Sequence, residues 1–191
     1  TAGQMMAAGH VGGGARAAQK TWLFAEGATG DFLNMFLLLA NPGATAASVE
    51  IRYLLPDGQV ITKPYSVGPN ARVTVDVANE DTRLAATSVG MTVTSTQPIV
   101  AERAMWWPGW KFAPDWYESH VVLGATEAGT KWALATGASG GPLAEQTFVL
   151  VANQASVAGT IRVTAVMDDG TTRVKELPIA GTARMTLDVA A

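Results

Sequence analysis

Residues able to do chemistry are scarce in this chain. It has two histidines, His10 and His120, and no cysteine, so thiol nucleophiles, disulfides and cysteine metal sites are excluded and imidazole chemistry has little to draw on. His120 closes the string Asp115-Trp-Tyr-Glu-Ser-His, which sets Ser119, Glu118 and Asp115 beside an imidazole. A serine nucleophile needs its oxygen within hydrogen-bond reach of the base, whereas neighbours in an extended segment point to opposite faces. No Gly-x-Ser-x-Gly elbow occurs either, and His120 is read as a solvated or loop-bracing residue. Glu26 and Glu102 could in principle share acid-base work on a glycosidic bond. Both sit at strand ends, as do Arg72 and Arg103, and carboxylate-guanidinium pairs that brace a sandwich are the expected role. Asn79-Glu80-Asp81 lacks the alternating Asp spacing of a calcium loop. The stretch GHVGGGARA, 9–17, has the glycines of a phosphate loop but no Gly-Lys-Ser/Thr and no preceding strand. No catalytic residue, metal or cofactor is expected.

The densest unusual composition is AMWWPGWKFAPDWYESH, 104–120, which holds Trp106, Trp107, Trp110, Trp116 and Tyr117. These five are the candidate binding residues. Indoles on a rigid scaffold stack on sugar faces or fill a partner's pocket. In a strand, however, the adjacent Trp106 and Trp107 point to opposite faces, one toward the core and one toward a junction. Core or junction packing is the leading expectation, then a protein contact, then a glycan platform.

The elements that would position these residues are β-strands. The 191 residues suffice for one large or two small domains with a real core. Thirteen Lys+Arg against 16 Asp+Glu give a charge of −3, which argues against a nucleic-acid partner. The longest apolar run, Met35–Ala40, spans six residues, far short of the roughly 20 a membrane-spanning helix needs. Residues 1–20 form a Gly/Ala-rich leader or linker without the basic start and apolar stretch of a signal peptide. From Thr21 onward, short apolar or alternating runs are punctuated by Gly, Pro, Asn and Asp. Strands are expected near 21–25, 34–40, 47–55, 59–66, 71–77, 89–96, 98–106, 119–124, 131–136, 146–153, 159–167, 171–178 and 183–189. Asp57-Gly58 and Asp169-Gly170 mark tight turns.

An internal repeat organises these strands. WLFAEGATGD from Trp22 recurs as WALATGASGG from Trp132, an offset of 110. LLLANPGATAASVEIRYLLPDG then recurs as VLVANQASVAGTIRVTAVMDDG, and ARVTVDV at 71–77 as ARMTLDV at 183–189, both offset by 112. The fold expected is all-β: two tandem antiparallel immunoglobulin-like β-sandwich domains, with Trp22 and Trp132 as early core residues. The first repeat would occupy 21–107, a Trp-rich connection 108–130, and a second, truncated repeat 131–191.

The strings WLFAEGATGDF, FLLLANPGATAASVEIRYLLPDG, PYSVGPNARVTVDV, QPIVAERAMWWPG and SHVVLGATEAGTKWALATG together resemble a tandem repeat family of exported bacterial proteins. Its modules carry a Trp-x-Phe-Ala-Glu-Gly start, a Leu-Leu-Ala-Asn-Pro centre and an Ala-Glu-Arg-Ala-Met-Tyr-Trp end. The resemblance covers about 22–189 and implies a non-catalytic β-sandwich, secreted or on the bacterial cell surface. The second copy departs from the pattern, with ANQ at 152–154 and ATG at 135–137, which puts any role of Glu26 in doubt there.

The second copy also lacks a counterpart of 89–106. Half a sandwich leaves a sheet edge and an apolar face open. Either the chain is a fragment of a longer array, the favoured reading, or other segments or subunits supply the missing strands by strand addition. The leader is a weak donor, because only Met5, Met6 and Val11 could fill apolar pockets, but it is expected to pack against protein. The function expected is that of a structural or adhesive module whose partners are other domains or subunits of its assembly. The alternative is a carbohydrate-binding module using the tryptophans, with a glycan as partner.

Overall fold

The computed structural model describes residues 10–190 except 32, 111, 112, 136, 143 and 144, and for 108–117 the backbone alone. The fold is all-β with antiparallel pairing throughout, and only two single-turn 3-10 helices, Val77–Asn79 and Thr82–Leu84, interrupt the described strands. The first copy contains β1 (Gln19–Phe24), β2 (Asn34–Asn41), β3 (Ala47–Leu54), β4 (Val60–Val67), β5 (Ala71–Asp76), β6 (Gly90–Trp110) and β7 (Ala113–Leu123). The second contains β8 (Phe148–Ala152), β9 (Gly159–Val166), β10 (Thr172–Ile179) and β11 (Arg184–Asp188).

β6 holds the first copy together. Its N-terminal part, Gly90–Ser95, pairs with β3, and β1 pairs along Met91–Thr94 of the same stretch. Beyond a short gap, Val100–Trp106 pairs with β2, and Glu102 onward with β7. One strand thus serves both layers, with β4 outside β3 and β5 outside β2. The sequence separates 89–96 from 98–106 at Pro98, but the strand runs through. Pro98 falls between the two registers, where its missing N–H interrupts neither ladder. The stretch 108–117, expected to be irregular, continues as the β6–β7 hairpin, with Trp107 opposite Glu118 and Pro108 opposite Tyr117.

Alternation builds the core. Met35, Leu37 and Leu39 of β2, Val49, Ile51 and Tyr53 of β3, and Met91, Val93, Ile99, Ala101 and Met105 of β6 all face inward around Trp22 and Phe24. The Trp22 indole N–H donates to the Ile99 carbonyl at 2.9 Å, tying β1 to the middle of β6.

The repeat is reproduced residue for residue in the pairing. Leu37 pairs Val75 and Val149 pairs Leu187; Val49 pairs Tyr65 and Ile161 pairs Leu177. Asn41 Nδ2 donates to the Thr45, Val67 and Gly68 carbonyls while Oδ1 accepts from Gly43 N–H. Asn153 does the same with Val157, Ala180 and Ala155. These asparagines fasten turns, satisfying backbone groups that the loop would otherwise leave bare.

The expectation that Trp132 is an early-strand core residue does not hold. Trp132 is 69% exposed against 3% for Trp22, and 131–135 is not strand. Its indole donates instead to the nearby Gly129 carbonyl at 3.0 Å. The physical reason is that Trp22 owes both its burial and its hydrogen-bond acceptor to β6, and among the described residues no strand pairs beside Trp132 in the same way.

Candidate functional site

The polar residues that converge do so at one end of the first sandwich. Arg103 lies on the inward face of β6 and is 1% exposed. Alternation along Ile99, Ala101 and Met105 points the intervening position 103 into the core. Its Nη1 contacts Glu26 Oε2 at 2.8 Å and the Glu26 carbonyl at 3.2 Å. Nη2 lies 2.6 Å from His120 Nε2. Because an arginine nitrogen only donates, Nε2 accepts, and the His120 proton sits on Nδ1 in this geometry. The Glu26 carboxylate is also 3.5 Å from His120 Nε2.

Aromatic rings close the cluster. Trp107 stacks on His120 with ring centroids 5.6 Å apart, and His10 meets His120 edge-on at 6.3 Å. Both histidines of the chain therefore gather here. Burial pulls the Arg103 guanidinium below its ordinary value, and the Glu26 charge and hydrogen bond act against that shift. Among the described residues, Arg103 Nε finds no hydrogen-bond partner. The cluster bolts β6 and β7 to the segment after β1.

Sequence reasoning placed some of these residues and missed others. An ion pair at strand ends was expected for Glu26, Arg72, Glu102 and Arg103, and the structure joins Glu26 to Arg103. Glu102 and Arg72 lie elsewhere, with Leu38, Ala40 and Val100 around an open hollow of about 300 Å³ on the outer side of β2, β5 and β6. Glu26 and Glu102 are thus on different sides of the sheet. Ser119 pairs with Trp106 and His120 with Met105, so neighbouring Ser119 and His120 point to opposite faces of β7. Asp81, in the acidic loop, is bound by Arg83 at 2.9 Å, and Asp76 accepts from Asn79 at 2.8 Å. The His120–Arg103 and His10–His120 contacts had no local signal, because they depend on the β6–β7 register and on the path of the leader.

Trp106 and Trp107 are both half-buried, and Trp107 packs against the core. The candidate side chains of Trp110, Trp116 and Tyr117 lie outside the described residues. Met5 and Met6 of the leader do too, while Val11 is 96% exposed and Ala15 packs against the first copy's core.

A second polar region joins the two copies. Arg184 is 5% exposed, with Nε 3.4 Å from the Ala25 carbonyl beside Glu26. Burial lowers its guanidinium from the ordinary value, and the Glu26 charge opposes that shift. Thr92 Oγ1 donates to Gln154 Oε1, and Thr182 Oγ1 to the Gly58 carbonyl at 3.2 Å. A Cβ on Gly90 would come within 3.3 Å of the Ala152 Cβ, so glycine permits that close approach. The equivalent Arg72 in the first copy is exposed.

No protein-family model and no curated protein matches the chain. Among solved structures, the chain is similar to the crystal structure of Thermotoga maritima 1070, with 16% identity and a TM-score of 0.50 over 59% of this chain and 98% of that one. It also aligns with the Anabaena sensory rhodopsin transducer at 21% identity and a TM-score of 0.41, over 45% of this chain and 87% of that one. The first likeness bears on the fold alone.

Proposed function

We propose that the protein is a non-catalytic structural module of a secreted or bacterial cell-surface assembly, made of sandwich repeats that pack end to end and act through protein contacts. The observation that carries this reading is the second copy itself. It repeats the strand pairs of the first in the same register and seats Arg184, Ala152 and Gln154 on the first copy's end. Polar groups in the first copy support it, because Glu26, Arg103 and His120 spend their hydrogen bonds on one another across strands. A carbohydrate-binding module using the tryptophans is the rival.

The test pairs localisation with binding and turnover. Antibody against the chain is expected to label intact producing cells or their medium, while glycan arrays and hydrolase substrate panels stay blank. Saturable sugar binding lost in Trp106→Ala or Trp110→Ala would replace this reading with the rival. Turnover abolished by His120→Ala would overturn both.

A further inference from the structure

Glu26 serves an arginine from each copy. Its carboxylate takes Arg103 of β6 at 2.8 Å, and its charge also acts on Arg184 of β11, whose Nε lies 3.4 Å from the adjoining Ala25 carbonyl. Arg184 Nη1 donates to Thr186 Oγ1 at 2.5 Å, as Arg72 Nη2 donates to Thr74 Oγ1 at 3.0 Å in the first copy. The arginine-threonine pair is therefore a property of the repeat. Burial beside Glu26 is particular to Arg184, since Arg72 is exposed. Two further contacts between the copies, Thr92 with Gln154 and Thr182 with the Gly58 carbonyl, involve neutral groups.

His120 touches the same carboxylate. Its Nε2 lies 3.5 Å from Glu26 Oε2 and accepts from Arg103 Nη2 at 2.6 Å, so that nitrogen carries no proton in this arrangement. Among the described residues, the titratable and charged groups that face the ring come from four elements. They are Glu26 after β1, Arg103 of β6, His10 of the leader at 6.3 Å edge-on, and Glu118, two positions away on the same face of β7.

We infer that His120 is a proton-operated release for the contact between the two copies: protonated, it competes with Arg184 for Glu26, and the second copy lets go of the first. The charges around Glu26 give the direction. With His120 neutral, the guanidinium groups of Arg103 and Arg184 share one carboxylate. A proton on Nε2 adds a third cation, sets an N–H against the Arg103 N–H it accepted from, and turns a donor toward Glu26 Oε2. Arg103 is 1% exposed inside β6 and has no route to solvent short of unfolding the first copy. Arg184 belongs to the separable copy, and by leaving it regains water and returns the cluster to its former charge. A buried cation that loses its share of a counter-ion is strongly disfavoured. Docking and protonation therefore oppose each other through linkage. Imidazole is the side chain whose ordinary titration lies between pH 5 and 8, which puts the release between neutral and mildly acidic surroundings. The release needs no assumption about what the module assembles with.

The chain has no cysteine, so spin labels on Ser66→Cys in β4 and Val157→Cys between β8 and β9, both exposed positions, report the separation of the copies by pulsed electron spin resonance. One narrow distance is expected at about pH 7.5, and the fraction at longer distances should grow at least about fivefold by about pH 5. His120→Gln, whose amide oxygen still accepts from Arg103 but takes no proton, should hold the narrow distance at both pH values. Arg184→Met should likewise remove the pH response, and it reads the inference if His120→Gln does not fold. His10→Gln should keep the response. An unchanged distance in the labelled parent overturns the inference. A response that survives in His120→Gln or Arg184→Met, or that vanishes in His10→Gln, does the same. Lengthening accompanied by loss of the β-strand circular dichroism signal is unfolding rather than release, and equally overturns it.

Discussion

The repeat provides an internal control for the cost of losing a tryptophan. Trp22 and Trp132 occupy the same place in the two copies, yet Trp22 is 3% exposed and Trp132 69%. A buried aromatic side chain hides about 200 Å², worth about 5 kcal/mol at ~25 cal/mol per Å². A compact denatured chain already hides part of that area, which trims the figure to about 3–4 kcal/mol. Trp22→Ala also strands the Ile99 carbonyl, which accepts the indole N–H at 2.9 Å, adding about 1 kcal/mol. The expected loss is therefore about 4–5 kcal/mol, against about 1 kcal/mol for Trp132→Ala, whose indole keeps under a third of that burial. Urea denaturation followed by circular dichroism reads both variants, and an unchanged m-value shows that the same transition is being measured. Trp22→Phe, which retains most of the apolar contact, should lose about 1–2 kcal/mol and remains readable if the alanine variant does not fold. Equal losses for the two alanine variants would refute the argument that β6 is what buries the first tryptophan.

Three further perturbations test particular contacts. A Cβ on Gly27 would lie 2.6 Å from the Val89 carbonyl and 2.8 Å from Met35 Sδ, so Gly27→Ala should lower the thermal midpoint by several degrees. Gly137→Ala, whose nearest neighbour is a Thr147 methyl at 3.3 Å, should cost less in the same melting experiment. Among the described residues, Glu26→Ala leaves the buried Arg103 charge with the residue 26 main-chain carbonyl, Met105 and His120 as its contacts, and should cost about 3 kcal/mol. Arg103→Met removes that buried charge and should fall within about 1 kcal/mol of the parent, an order that paired denaturation curves check. Hydrogen bonds from the Arg83 side chain and backbone hold the Asp81 carboxyl well below the usual carboxylate range. That stabilisation is full above the unfolded value near ~3.9 and is lost as pH falls through the lower folded value. Asp81→Asn should therefore melt below the parent at neutral pH, with the gap closing on acidification and shrinking with salt.

Local pattern alone determined much of this protein. Alternating runs with Asp57-Gly58 and Asp169-Gly170 between them specify antiparallel hairpins, because strand faces repeat every two residues and these turns accept positive φ at Gly58 and Gly170. The offset of 112 carried the register of β2 with β5 over to β8 with β11, and it placed both turn-fastening asparagines. Tertiary structure decided what depends on distant partners. Pro98 reads as a strand break until the two ladders on either side of it are known to belong to different neighbours. Arg103 reaches Glu26 across 77 residues and His120 across 17, separations that no local periodicity encodes. Trp132 carries the same residue type and the same motif as Trp22, yet it lies open to solvent. A side chain's burial belongs to the strand that covers it, and the covering strand of the first copy, β6, begins 66 residues downstream of β1.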